Sequence, residues 1–327
     1  MRAVLCKEFG PPESLVLEEV EPLKPGKGQV VIGIRACGLN FPDALMIQGK
    51  YQFKPPMPFS PGSEVSGIIK EVGEGVTSVK RGDRVIAVTG SGGFADEIIA
   101  AEAKLISMPT GVNFATAAAF TMAYGTSYHA LKDRAHLASG NSLLVLGAAG
   151  GVGLAAVEIG KFLGARVIAA ASTYEKLAIC KQYGADEVIN YTTEDLKERV
   201  KSLTKGQGVD VTFDPVGGNY AEAALRSTGW KGRYLVIGFA SGEIPRIPLN
   251  LTLLKGSSIV GVFWGAFTER EPQRHQQNLQ ELLTLLAEGK LKPHISATYP
   301  LEQATTALDD MMQRKVQGKA VVLMQRD

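Results

Sequence analysis

The chain has 327 residues, 45% of them hydrophobic and 21% charged; this is longer than single cores usually grow, so two domains are expected, and the composition is that of a globular chain. Lys and Arg number 35 against 33 Asp and Glu, a formal net charge of +2, which leaves no basic excess for nucleic acid as the main partner. Three widely spaced cysteines, Cys6, Cys37 and Cys180, argue against a disulfide framework or a C-x-x-C metal site; with no run near ~18 apolar residues and no apolar leader in MRAVLCKEFG, a cytoplasmic protein with no membrane association is expected.

Residues 1 to about 122 read as short β-rich runs (3–6, 15–20, 29–36, 65–72, 84–87 and 94–100) punctuated by Gly and Pro. Gly73, Gly75 and Gly82-Asp83 mark hairpin turns. This is the pattern of a twisted, largely antiparallel β-domain. From Asn113 the alanine-rich stretch FATAAAFTMAYGTSYHALKDRAHLASG has helix-like spacing and forms the hinge region to a second domain.

The stretch 142–164, SLLVLGAAGGVGLAAVEIGKFLG, organises that second domain. Leu143, Leu144, Val145 and Leu146 make a strand buried on both faces, and the glycine turn follows at once. From Val152 onward, apolar residues at spacings of three and four give a helix one face to pack on the sheet. Strand, glycine turn and helix together suit a pyrophosphate, which backbone N–H groups and a helix start can bind. The fingerprint G-x-G-x-x-G aligns as Ala148-x-Gly150-x-x-Gly153, with alanine in the first glycine slot. Roughly 20 residues past the glycines, where an acid would hold the ribose of NAD, the chain has Ala171, Ser172 and Thr173, then Lys176. NADP is therefore favoured over NAD.

Alternating elements follow: strand 166–171, helix 175–183, strand 187–190, helix 193–204, strand 209–214, helix 220–227 and strand 232–237. They imply a doubly wound parallel sheet with right-handed crossovers. Past Phe239 come an irregular stretch 247–254, a long strand-like stretch 257–263, a helix 273–288 and a last apolar run 319–324, which should fold back onto the first domain.

Six stretches across the chain carry a family resemblance: GLNFPD from Gly38, PGSE from Pro61, GDRV from Gly82, GTSYHAL from Gly125, GAAGGVG from Gly147 and GAD from Gly184. Together they resemble the zinc-free NADPH:quinone oxidoreductases (zeta-crystallin-like) of the medium-chain dehydrogenase/reductase superfamily. The resemblance implies an α/β protein: a GroES-like β-domain over 1–122, completed by 265–327, and a Rossmann doubly wound parallel-sheet domain over 123–264. In the alcohol dehydrogenase branch a catalytic zinc is held partly by a cysteine where this chain has Asn40 and a histidine where it has Ser63. An amide and a neutral hydroxyl are poor zinc ligands, so no metal is expected.

The resemblance also implies site residues. Asn40 would hydrogen-bond the substrate oxygen or the nicotinamide ribose, with Asp43 beside it; both residue types also cap helices. Tyr51 would position a quinone ring, and Thr126 would lie near the nicotinamide and phosphate. Ala149, Gly150, Gly151, Val152 and Gly153 would form the phosphate turn. Lys176 and Tyr191 would hold the adenosine 2′-phosphate, and Ser172 would also bind the cofactor. Phe239, Phe263 and Gly265 belong to segments whose backbone approaches the nicotinamide carboxamide. The four histidines are read as structural or surface residues, and Cys37 as a packed small hydrophobe.

The function implied is NADPH-dependent hydride transfer to a quinone or related α,β-unsaturated carbonyl, which needs a placed hydride and an oxyanion donor more than a metal. The alternatives are an enoyl-thioester reductase of the acyl-CoA type, and a non-catalytic NADPH-binding role of the crystallin-like or RNA-binding kind. An apolar run at 257–263 on a sheet edge would invite pairing, and the family is commonly dimeric, so a homodimer is expected.

Overall fold

The computed structural model describes residues 1–324, which fall into two compact units, Met1–Met122 with Leu283 onward, and Ala123–Leu282. No helix among the described residues is long and apolar enough to cross a membrane.

The first unit begins with the antiparallel pair β1 (Arg2–Leu5) and β2 (Val16–Glu19). There follow β3 (Gln29–Gly38), α1 (Phe41–Ile47), β4 (Glu64–Val72), β5 (Arg84–Val88), β6 (Glu97–Ala101), β7 (Leu105–Ser107) and α2 (Phe114–Ala118). The long β3 is the hub. It pairs β4 along one edge, and along the other β6 with its first half and a C-terminal strand with its last residues. Two register irregularities against β4, at Val31/Ile32 and Ile34/Ala36, bend it so that it can serve several partners. Its buried side chains, Val30, Ile32, Ile34 and Cys37, pack with Val65, Ile69, Phe94 and Ile98 into one core.

The second unit holds α3 (Thr121–Tyr128, whose first residues precede the boundary), which runs into a π-helical turn at His129–Arg134. Then come β8 (Ser142–Leu146), α4 (Gly151–Phe162), β9 (Arg166–Ala171), α5 (Tyr174–Gln182), β10 (Glu187–Asn190), α6 (Leu196–Leu203), β11 (Val209–Asp214), α7 (Tyr220–Ser227), β12 (Thr228–Val236), α8 (Asn250–Lys255), β13 (Ser258–Gly261), α9 (Trp264–Arg270) and α10 (Pro272–Ala287). All six strands are parallel, in the order β10-β9-β8-β11-β12-β13. The order reverses between β8 and β11, where a dinucleotide crevice opens at the strands' carboxyl ends in sheets of this kind.

The chain closes with β14 (Ile295–Pro300), α11 (Ala304–Met312) and β15 (Lys319–Leu323) in the first unit. β14 and β15 are parallel, and β15 pairs antiparallel with β3.

Several elements differ from their sequence expectation. The strand-like stretch 257–263 yields only the four-residue β13, because Trp264 opens a helix and its indole lies against Gly125. Part of 247–254 is helical, as α8. The return of the chain falls at 282/283 and not at 265, and the polar contacts explain why. Asp133 accepts hydrogen bonds from Arg274 and Asn278, Tyr128 donates to Glu281 at 2.5 Å, and Phe267 stacks on His129 at 3.7 Å. These hold α9 and the first turns of α10 on the second unit. Both β14 and α11 went unanticipated, and the expected range 265–327 ends three positions outside the described residues.

Candidate active site

Gly147 takes the left-handed backbone (φ 55°) one residue ahead of the fingerprint, so the tight turn no longer depends on its first slot. Ala148 fills that slot fully buried. Gly153 has no such latitude: a Cβ there would lie 2.3 Å from the Gly147 carbonyl oxygen and 2.9 Å from the Ala148 Cα, so glycine alone lets α4 sit this close to the turn. Gly150 is the opposite case. It precedes α4 in an extended conformation, with no side-chain cap, and a Cβ would meet only the Gly147 oxygen at 3.4 Å. Open space therefore lies over the first turn of a twelve-residue helix that carries no acid there. Gly151 and Val152 begin that turn, and Ala149 is buried beneath it. Backbone donors without side-chain partners and a positive dipole end make a cradle for an anion.

Other residues converge on this turn. Ser127 donates its hydroxyl to the Val152 carbonyl at 2.8 Å, tying α3 to α4 next to the half-buried Thr126. On the other side of Thr126, Gly125 leaves room for the Trp264 indole, which a Cβ would meet at 2.9 Å. Thr126, the turn and the Trp264-Gly265 segment thus share one neighbourhood, with the Phe263 ring exposed beside Gly265. At the end of β11, Asp214 accepts the N–H groups of Val216 and Gly217 and the hydroxyl of Tyr234. Burial pushes its carboxyl up against those bonds. The half-exposed Phe239 ring packs over Gly217, and Val216 reaches the Cβ position of Gly147.

The ends of β9 and β10 gather the remaining expected residues. Thr173 caps α5 by accepting the Lys176 N–H, Thr192 donates its hydroxyl to the Ser172 carbonyl, and the Tyr191 N–H reaches the Ala171 carbonyl. The Tyr191 ring lies 4.3 Å from that of Tyr220. Two carboxylates stand nearby: Glu194, which accepts the Asn190 N–H at 2.8 Å, and Glu175. Its own backbone N–H and the Thr173 hydroxyl hold its carboxyl below the usual range, so it is engaged at the helix start.

In the first unit, a buried polar cluster surrounds Asn40. The Asp43 carboxylate accepts the Asn40 N–H and the Ser63 hydroxyl, each at 2.8 Å, and with the Asn40 side chain facing the Asp43 N–H it forms a capping box at the start of α1. Burial pushes the Asp43 carboxyl up to about 6 against those hydrogen bonds. The Asn40 amide has further partners: its nitrogen donates to Glu64 at 3.2 Å and to the Gly38 carbonyl at 3.3 Å, while its oxygen accepts from Lys319 at 2.6 Å. Lys319, at the start of β15, is 4% exposed and also donates to the Leu39 carbonyl at 2.7 Å. Glu64 is fully buried and accepts the Met122 N–H at 2.9 Å; burial raises its carboxyl and Lys319 opposes the shift. Tyr51 is half-buried, and its hydroxyl has no hydrogen-bond partner among the described residues. Burial first, and Asp43 second, raise its phenol. Cys37 lies buried where Gly62 and Gly93 leave room for its sulfur, and burial raises its thiol. Among the described residues no three His, Cys, Asp or Glu side chains converge to hold a metal ion.

Sequence reading had no hold on Lys319, Ser127, Asp214 or the pairing of Ser63 with Asp43. The one local signal was a lysine opening an otherwise apolar final strand.

Comparison with known proteins is consistent across the chain. Residues 26–110 match the model of the alcohol dehydrogenase GroES-like domain, and residues 151–288 that of the zinc-binding dehydrogenases. The chain is 43% identical to a quinone oxidoreductase-like protein 2 homolog of Nematostella vectensis, over 98% of this chain and 88% of that protein. It is 35% identical to the quinone oxidoreductase of Homo sapiens, over 99% and 98%. The Escherichia coli quinone oxidoreductase, solved as a complex with NADPH, superposes with a TM-score of 0.92 at 29% identity, covering 99% of this chain and 100% of that one.

Proposed function

The chain belongs to the quinone oxidoreductase family of the medium-chain dehydrogenase/reductases, and on that premise we propose that it is an NADPH-dependent enzyme that reduces a quinone or a related α,β-unsaturated carbonyl without a metal. The observation that carries this reading is the space over Gly150, at the head of a helix with no acid in its first turn, with Ser172 just past the end of the neighbouring β9 and Lys176 in the first turn of α5. A pyrophosphate fits such a cradle, and a 2′-phosphate fits strand ends where Glu175 is engaged at a helix start and Glu194 by the Asn190 N–H.

NADPH, when bound, supplies the hydride. Gly150, Gly151 and Gly153, with the backbone of Ala149 and Val152, hold the pyrophosphate; Ser172, Lys176 and Tyr191 hold the 2′-phosphate; Thr126, Phe239, Phe263 and Gly265 line the nicotinamide. Asn40 and Tyr51 act at the reacting end. The Tyr51 hydroxyl suits the oxyanion role, since a raised phenol keeps its proton and has no other acceptor among the described residues. Metal independence is supported by the donors at Asn40 and Ser63, a neutral amide and a neutral hydroxyl already engaged by Lys319, Glu64 and Asp43.

We also propose a homodimer, supported by the outer edge of β13, which pairs only β12 among the described residues and exposes Ile259 beside Phe263. The test of the reaction is direct: pure protein is mixed with NADPH and a panel of quinones and enones while reduced-nicotinamide absorbance is followed. Oxidation with quinones or enones is the expected result. No oxidation with any acceptor refutes the proposal, and turnover of enoyl-CoA far above quinone moves it to a thioester reductase.

A further inference from the structure

The Asn40 amide is held at both ends by groups whose chemistry leaves its orientation no choice. A lysine ammonium can only donate, so the atom 2.6 Å from Lys319 Nζ is the amide oxygen. The amide nitrogen then faces Glu64 and the Gly38 carbonyl, and both of its hydrogens are engaged there. Reversal of the amide would set its NH2 against the ammonium and its oxygen against the carboxylate. Lys319 cannot swing away readily, because its ammonium is buried, bonded also to the Leu39 carbonyl and 3.7 Å from Glu64. The oxygen also faces the Asp43 N–H across the start of α1, and with both amide hydrogens engaged Asn40 can meet a ligand only as an acceptor.

We propose that Lys319, paired with Glu64, is a positioning residue that fixes Asn40 as an acceptor. The side chain recognises a hydroxyl, with the sugar hydroxyls of NADPH as the matching class, and gives no hydrogen bond to the carbonyl undergoing reduction. This rests on the reading of the chain as an NADPH enzyme with Asn40 at its site. It assigns the two expected roles of Asn40 unequally, and it leaves the oxyanion to a different donor.

Two sets of variants test it, with the dissociation constant for NADPH as the readout and thermal unfolding as the check on folding. The isosteric exchange Asn40→Asp with Glu64→Gln keeps one carboxylate beside Lys319, keeps an acceptor at position 40 and removes the donor there. Its NADPH affinity should stay within about 3-fold of wild type, whereas Asn40→Ala should lose about 5-fold, the worth of one hydrogen bond. The second set is Lys319→Met with Glu64→Gln, which frees the amide without stranding the Glu64 carboxylate and leaves Asp43 its bonds to Ser63 and the Asn40 N–H. It should lose about as much as Asn40→Ala, and adding Asn40→Ala to it should cost nothing further, since two changes that remove one interaction do not add.

An exchange variant that folds and binds as weakly as Asn40→Ala overturns the acceptor assignment. Losses that multiply in the combined variant show that Lys319 acts independently of Asn40 and overturn its positioning role. Should the Lys319 variants not fold, the exchange variant alone decides. Wild-type protein that does not bind NADPH at all refutes the functional reading itself, which is a separate result.

Discussion

Gly150→Ala separates a ligand cradle from a packing contact. The position has φ −81° and ψ 173°, a backbone open to any residue, and the new methyl would meet only the Gly147 oxygen at 3.4 Å. Alanine restricts the unfolded chain, a gain of about 0.4–1 kcal/mol, and is a poorer N-cap than glycine by a similar amount, so the two nearly offset. The unfolding midpoint should stay where it is. A bound pyrophosphate would be pushed away from the amides of the first turn of α4. Losing one charge-assisted hydrogen bond, at about 1.5–3 kcal/mol, lowers NADPH affinity roughly 10- to 100-fold. Gly153→Ala is the control: its methyl would fall 2.3 Å from a backbone oxygen, and overpacking of about 1–3 kcal/mol should lower the unfolding midpoint. Thermal unfolding without ligand and fluorescence titration with NADPH read the two effects apart. If Gly150→Ala binds NADPH as wild type does, no phosphate sits over Gly150. If it destabilises as much as Gly153→Ala, the space over Gly150 is not open.

Lys176→Ala should weaken NADPH much more than NADH in binding titrations, and equal weakening would show that the lysine does not read the 2′-phosphate. Asp43 bears on stability against pH. Its carboxyl is raised from 3.8 to about 6 in the folded protein, so the folded state binds this proton more tightly than the unfolded chain. Its contribution is therefore greatest below about pH 4 and is lost as pH rises to about 6, by roughly 3 kcal/mol at 1.36 kcal/mol per unit. Chemical denaturation should show wild type losing that much relative to Asp43→Asn between pH 4 and 7, and a constant difference would refute the assignment. Ile259→Lys, which places a charge on the outer edge of β13, should convert a dimer to monomer in sedimentation analysis; unchanged association would move the interface elsewhere.

What was legible in the sequence was local. Strand β8, the glycine turn and α4 announce themselves within 23 consecutive residues of period and turn chemistry, and the parallel alternation after them fixes the order of elements, though not their ends. Helix α6, for instance, starts three residues later than expected, because Asp195 caps it. The unit boundary was misplaced since Asp133, Arg274 and Asn278 are joined by a side-chain network across about 140 residues, which no periodicity records. The same holds for Lys319 and Asn40, 279 positions apart. Helix α11 escaped notice because its buried face is only Ala304, Ala307 and Leu308, set among threonines and aspartates. Gly147 is legible as a turn residue from its place between the apolar run and Ala148, but its left-handed backbone, which relieves the first fingerprint slot of the turn, is not.

The first unit is written in two pieces, with all of β8 to β13 between them, and this has a consequence for how the chain is made. As the chain emerges during synthesis, β3 appears early, but the backbone of Ala36, Cys37 and Gly38 has to wait for Leu323, Val322 and Val321. Glu64 waits as long for Lys319. The second unit is contiguous and can fold as soon as residue 282 is clear, as domains tend to do in order of synthesis. A chain cut short by a dozen residues would thus carry a finished second unit and a first unit with an open strand edge and an unpaired buried carboxylate. Strand β15 is the last of the described elements to be made, and until it pairs with β3 that strand edge and the buried Glu64 carboxylate stay open.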